Sequence, residues 1–184
     1  MKKLLFMGAS VMLFLASCND NGATSNGNSA ADKAKANNRE VLKAIESGDV
    51  SKLDSFITSD GIDHSGADGM TEVKGIDNIK KDLGSIKQSF SDLKFDVQQE
   101  AVNGEYLFVM SKLIGTTSAN PGHGMQPNQK IEMSGADVLK FNSEGKFTEH
   151  WTFNDPRDMM KMMGGDKPMD NKMDKMAPMD STKK

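Results

Sequence analysis

Few residues of this 184-residue chain could carry chemistry: three histidines, one cysteine, and the carboxylates whose spacing lets them work beside a histidine. His150 and Asp137 make the strongest pair. They fall on two alternating segments, residues 128–141 and 146–154, joined by Asn142-Ser143-Glu144-Gly145, which reads as a hairpin turn. With that four-residue loop, Phe141 lies opposite Lys146, Leu139 opposite Thr148 and Asp137 opposite His150. A carboxylate directly across from an imidazole can hold its tautomer and raise its basicity, and such a dyad can move a proton beside a carbonyl. The expectation depends on register, because one extra loop residue turns one of the two side chains to the other face. The plainer alternative is a cross-strand hydrogen bond with no catalytic role.

The other two histidines are more isolated. His64 sits in a stretch rich in Gly, Asp and Ser (residues 58–69), where a solvated turn histidine is the plain reading. His123 lies in Pro121-Gly122-His123-Gly124, a loop expected over a cavity mouth, either touching a ligand or simply solvated. The three histidines contain no His-x-His or His-x-x-His element, and a single cysteine forms no thiolate cluster, so neither a zinc site nor a cofactor is expected. Trp151 alternates with Phe147 and Phe153, opposite in direction to His150, and this stripe reads as core or dimer surface. Phe90, Phe95, Phe108, Met110 and Met133 read as packing or pocket wall; of these, Phe90 and Met110 are the candidate ligand contacts.

These side chains need a scaffold. Val41, Leu42 and Ile45 recur at helical spacing and Gly48 closes that run; a second short helix is expected over residues 50–57. A short strand is expected around Ile62. Ile76, Ile79, Leu83, Ile86 and Phe90 then make the strongest amphipathic stripe in the chain. After Ser91 the period falls to two, and four strands follow in residues 93–102, 105–118, 128–141 and 146–154, with a last short helix after Asp155-Pro156. Helices first and antiparallel strands afterwards define an α+β domain, with helices on one face of the sheet and a hollow between the layers.

The net charge of −3 argues against a nucleic-acid partner, which would select a basic stripe. The N-terminus points to a membrane. Lys2 and Lys3 precede an apolar run, Leu4 to Leu15, that is too short for a permanent bilayer span. Leu15-Ala16-Ser17-Cys18 then resembles the lipobox of bacterial lipoproteins, a resemblance that implies cleavage before Cys18 and attachment of lipid to its thiol and amine. Several acyl chains hold a protein on a membrane far more firmly than one. Residues 1–17 are therefore expected to be a signal peptide, 18–36 an attachment site and flexible tether, 37–164 the folded domain and 165–184 a disordered tail rich in Met, Lys and Asp. Residues 158–184 hold eight of the fifteen methionines. Met169, Met173, Met176 and Met179 recur every three or four residues, a spacing compatible with Cu(I) ligation, with a weak amphipathic helix, or with low-complexity composition alone.

Five stretches together carry a family resemblance: Ile62 to Ser65, Ser89 to Val97, Ile114 to Gly124, Asp137 to Asp155 and Met159 to Gly164. They are similar to the SnoaL-like branch of the nuclear transport factor 2-like superfamily, which includes polyketide ester cyclases, and the most specific piece is Glu149-His150-Trp151 after a glycine turn, followed by Asp155. The resemblance implies a cone-shaped, strongly curved antiparallel sheet packed on the N-terminal helices, and a homodimer formed through the sheet. It also implies that His64 points into the cavity. In the family cyclases an acidic residue follows the tryptophan of this strand and acts as acid and base; here that position is Thr152, a possible ligand contact that cannot ionise usefully near neutral pH.

Three functions stay open on these residues. The first is an envelope lipoprotein binding a small apolar or carbonyl-containing molecule in its cone. The second is an ester cyclase or isomerase using Asp137 and His150 as a proton-transfer pair. The third is an interaction domain with a vestigial pocket, in which aromatic and methionine side chains would fill the cone.

Overall fold

Ser29 starts the first helix earlier than the composition of its neighbourhood suggests. In the computed structural model, which describes residues 29–122 and 124–164, helix α1 runs Ala30–Ser47. The Ser29 hydroxyl accepts from the Asp32 N–H at 3.1 Å, capping the helix. The first turns of α1 thus fall inside the span expected to be tether. They are ordered because Ala34, too small to count as a core residue by sequence, is fully buried beside the turn between the last two long strands. Gly48 ends the helix in the left-handed conformation at φ 78°.

The second expected helix is shorter than its pattern suggested, a single 3-10 turn at Leu53–Ser55. It leads into strand β1 (Ile57–Asp63), a two-residue strand β2 (Val73–Lys74) that the sequence did not suggest, and helix α2 (Ile76–Gln88). Four long strands follow: β3 (Lys94–Asn103), β4 (Tyr106–Thr116), β5 (Lys130–Phe141) and β6 (Phe147–Asn154). Helix α3 (Pro156–Met162) closes the order, with Asp155 as its cap and Pro156 in its first turn. The sheet has six strands in the order β2-β1-β6-β5-β4-β3. The four long strands pair antiparallel as expected, while β1 lies parallel to β6. This is the expected α+β architecture, and no described helix is long and apolar enough to cross a membrane.

One face of the sheet packs on α1 and α2. Leu107 and Val109 of β4, Leu139 and Phe141 of β5 and Phe147 of β6 are buried there with Val41, Ile45, Ile79 and Leu83 of the helices. The opposite face, through which the resemblance implies pairing, exposes Phe108, Met110, Ile114 and Phe153.

The β5–β6 hairpin decides what faces the core. Phe141 pairs with Phe147, so the loop has five residues instead of four, and Lys140 pairs with Glu149, so Thr148 is an extra bulged residue. The bulge breaks the expected aromatic stripe: Phe147 is buried in the core while Phe153 lies 60% exposed on the other side. The hairpin turn docks on α1. Asn37 Nδ2 donates to Gly145 O at 2.8 Å, and Gly145 adopts φ +80°, where a Cβ would stand 2.6 Å from Lys33 Cβ and 3.0 Å from Ala30 O. Gly145→Ala should therefore destabilise the domain by about 2 kcal/mol or more in urea unfolding. A loss below about 0.5 kcal/mol would contradict this docking.

Candidate functional site

Between sheet and helices lies a cavity of about 470 Å3. Helix α1 contributes Asn38, Val41, Leu42 and Ile45 to its wall, α2 contributes Ile79, Leu83 and Ile86, and the inner sheet face contributes Phe95, Ser111, Leu113 and Leu139. Phe90, expected as pocket wall, does line it. So do Met70, Met125, Met133, Met159, Met162 and Met163. The aromatic and methionine side chains border this hollow and do not fill it. Thioethers on three rotatable bonds make an adaptable apolar wall.

The polar centre of the cavity is built from three strands. On β6, His150 and Thr152 face inward; on β5, Asp137 does. Asp137 pairs with Thr152, not with His150 as a four-residue loop would require, and His150 pairs with Leu139. The longer loop and the Thr148 bulge each slip the register by one residue. Two slips preserve the strand parity, so Asp137 and His150 still share a face. His150 Nε2 lies 3.3 Å from Asp137 Oδ1 and 3.2 Å from Thr152 Oγ1, and the Thr152 hydroxyl donates to the same Asp137 oxygen at 2.8 Å. Asp137 Oδ2 has no hydrogen-bond partner among the described residues.

The other ring nitrogen was not foreseen. His150 Nδ1 lies 3.2 Å from Oδ2 of Asp63, the last residue of β1. Asp63 is only 4% exposed, and its Oδ1 accepts the Ser65 and Gly66 N–H groups at 3.0 Å each. Strand β1 is locked beside β6 at this point, with the His64 N–H donating to His150 O and the Thr152 N–H to Ser65 Oγ, both at 2.8 Å. Strand alternation was the available signal: if Asp63 faces in, His64 must face out.

That is where His64 goes, which corrects the expectation of a cavity ligand or a solvated turn. Its ring stacks on Trp151 on the outer side, centroids 4.6 Å apart and 12° from parallel. Glu72 and Glu149 hold its two nitrogens at 2.9 and 3.0 Å. Met110 is corrected too. With Val109 and Ser111 of β4 facing in, Met110 faces out, is 59% exposed and does not line the cavity. His123, Cys18 and the tail methionines Met169, Met173, Met176 and Met179 lie outside the described residues.

Electrostatics follow from this geometry. Burial works against the charged ring of His150, but hydrogen bonds to Asp137 and Asp63 and their two charges outweigh it and push its pKa up to about 10. Burial likewise disfavours ionised Asp63, yet the His150 hydrogen bond and charge, with the Ser65 and Gly66 N–H groups, hold its carboxyl below the usual range. At neutral pH the arrangement is an imidazolium between two carboxylates. An imidazolium has no free lone pair, so His150 is not the base of a neutral dyad; it is a fixed cation, and Asp137 offers the open basic atom.

The SnoaL-like polyketide cyclase family profile matches residues 36–162, so the chain belongs to that family. No curated protein matches the sequence. Among solved structures, it resembles a Jannaschia sp. CCS1 protein designated a SnoaL-like polyketide cyclase, at 18% identity over 71% of this chain and 91% of that one, with a TM-score of 0.60. TsrD from Streptomyces laurentii is similar at 16% identity over 72% and 95% (TM-score 0.61). AclR from Streptomyces galilaeus, designated a hydroxylase, is similar at 22% over 74% and 98% (TM-score 0.60). At these identities the likeness shows the fold alone.

The raised pKa has a thermodynamic consequence. A group whose folded pKa exceeds its unfolded value contributes stability that is full below the unfolded value and lost as pH rises through the folded one. His150 should stabilise the domain fully below its ordinary value of 6.5, and that contribution should fall away as pH climbs toward about 10. Urea unfolding across this window should show the decline in the wild type and a flatter profile in His150→Gln; parallel profiles would contradict the charged-ring assignment.

Proposed function

We propose that the domain binds a small, uncharged apolar or carbonyl-containing molecule in its cavity and moves a proton on it. One observation carries this reading. A carboxylate, Asp137, is fixed through one oxygen by Thr152 and the imidazolium of His150, while its other oxygen has no hydrogen-bond partner among the described residues in a cavity whose wall is largely Leu, Ile, Phe and Met. In the proposed step, Asp137 Oδ2 takes a proton from a carbon beside the ligand's carbonyl. The C–H electron pair moves into the carbonyl, giving an enolate, and the His150 charge stabilises the developing negative charge. Return of the proton to a different carbon of the conjugated system completes an isomerisation; attack of the enolate carbon on a second carbonyl within the same ligand gives an alkoxide, which takes the proton back from Asp137 and completes a cyclisation. Asp63 acts through His150 as a positioning residue.

Family membership supports this chemistry coarsely. The resemblance implies an acidic group at position 152, where Thr152 stands; Asp137 lies directly opposite on β5 and bonds its hydroxyl, so the carboxylate is supplied from across the ladder. The same threonine favours a second reading, a binding module without turnover.

Deuterium incorporation separates them. With 2-tetralone in D2O, the wild type should accelerate exchange at the carbons beside the carbonyl above the buffer rate, and Asp137→Asn should lose about a hundredfold or more while keeping its fold. Exchange at the buffer rate with the ketone bound would sink the enzyme and leave the binding module.

We further propose that the protein is held on a bacterial envelope membrane through lipid on Cys18, which the lipobox-like Leu15-Ala16-Ser17-Cys18 supports. In bacterial cells, Cys18→Ala should move the protein from the membrane fraction to the soluble one. An unchanged distribution would contradict the anchor.

A further inference from the structure

Four buried side-chain polar atoms among the described residues have no hydrogen-bond partner: Asn38 Nδ2, Thr58 Oγ1, Glu100 Oε1 and Gln129 Oε1. Asn38 is the one of these four residues that lines the cavity, and it is only 4% exposed. It sits on the inner stripe of α1, three and four residues before Val41 and Leu42, where an apolar side chain would be ordinary. Its neighbour Asn37 ties this turn of the helix to the β5–β6 loop at Gly145 O, and Leu139 and Phe147, from the two strands that loop joins, also line the cavity. A buried amide N–H group left without an acceptor is costly, so its presence in a cavity wall calls for a partner.

The charges lining the cavity narrow what could bind. Among the described residues no Lys or Arg lines it, and the single His150 cation faces both Asp63 and Asp137. Four acidic side chains, Asp63, Asp68, Asp137 and Glu149, line the cavity against that one cation, so the lining is acidic on balance. An anionic ligand would meet that charge with no cation left to receive it.

We infer that Asn38 is a ligand-binding residue, donating from Nδ2 to an uncharged oxygen acceptor, a carbonyl or hydroxyl, on a neutral apolar molecule that fits within the cavity of about 470 Å3, and that the cavity rejects carboxylates. This rests on the cavity being a ligand site, as proposed above, and names the chemistry of the ligand. It adds a second polar anchor to the Asp137 centre, so that a ligand is fixed at two points instead of sliding in an apolar hollow.

Three matched probes test it on the full-length protein: 2-acetylnaphthalene, 2-ethylnaphthalene, which lacks the acceptor, and 2-naphthoate. Calorimetric titration at pH 7.5 should rank the ketone about tenfold tighter than the ethyl compound, the effect of one good hydrogen bond, with naphthoate weakest. Asn38→Leu, close in size, should abolish the ketone's advantage, leave the ethyl compound's affinity unchanged, and keep or raise the melting temperature. Asn38→Asp, which removes the donor and adds a negative charge, should bind the ketone more weakly than the wild type. Equal affinities for ketone and ethyl compound in the wild type, equal losses for both in Asn38→Leu, or tightest binding of naphthoate would overturn the inference while leaving the cavity a binding site. A lowered melting temperature in Asn38→Leu would also overturn it, because the amide would then be part of the fold. Failure of all three probes to bind would overturn the cavity reading together with this one.

Discussion

A protonated imidazole between two carboxylates is the constraint on which the rest of this structure depends. A charge set among Leu, Ile, Phe and Met side chains is tolerated only when paired and hydrogen-bonded, and His150 meets that demand on both nitrogens. Meeting it requires three strands to arrive together. Asp63 reaches Nδ1 only because β1 lies parallel beside β6 and ends at that residue, where the Ser65 and Gly66 N–H groups complete its hydrogen bonding. Asp137 reaches Nε2 only because β5 keeps the right parity against β6. The lone β1–β6 pairing, which joins the N-terminal part of the chain to the last hairpin, thus closes the polar centre as well as the sheet.

Much of this arrangement was legible in the sequence. The helix-then-strand order, the two amphipathic stripes, the four long strands and the Asp155-Pro156 helix start are periodicity and capping signals written locally. The shared face of Asp137 and His150 was reached by a pairing that was wrong by two residues, and it survived because parity alone matters for facing. The hidden part was non-local or one residue deep. The Thr148 bulge leaves no mark in the alternation, yet it sends Phe147 inward and Trp151 outward. Asp63 and His64 are adjacent, and nothing in their types says which faces the cavity; the partner strand decides. Ala34 is small and Asn38 polar, and their burial is set by what α1 packs on, not by their own hydropathy.

Membership of the SnoaL-like polyketide cyclase family fixes the scaffold and leaves the reaction to the site. Here the site departs from the pattern the resemblance implies. The ionisable group sits on β5 instead of following Trp151, and threonine takes the vacated position as a hydrogen-bond donor to it. Holding a carboxylate between an imidazolium and a hydroxyl on one oxygen, with the other oxygen unpartnered among the described residues, orients it without neutralising it. The six methionines along the wall suit an irregular apolar molecule better than a single rigid shape.

The most direct test of this account is the protonation state of the His150 ring. A long-range 15N–1H correlation spectrum of the 15N-labelled protein at pH 7.5, assigned by comparison with His150→Gln, reads it without reference to any ligand. The account predicts that both His150 nitrogens carry protons, each hydrogen-bonded to a carboxylate. A neutral ring with one bare nitrogen would contradict it, and Asp137 would lose the cation that makes it the open base of the cavity.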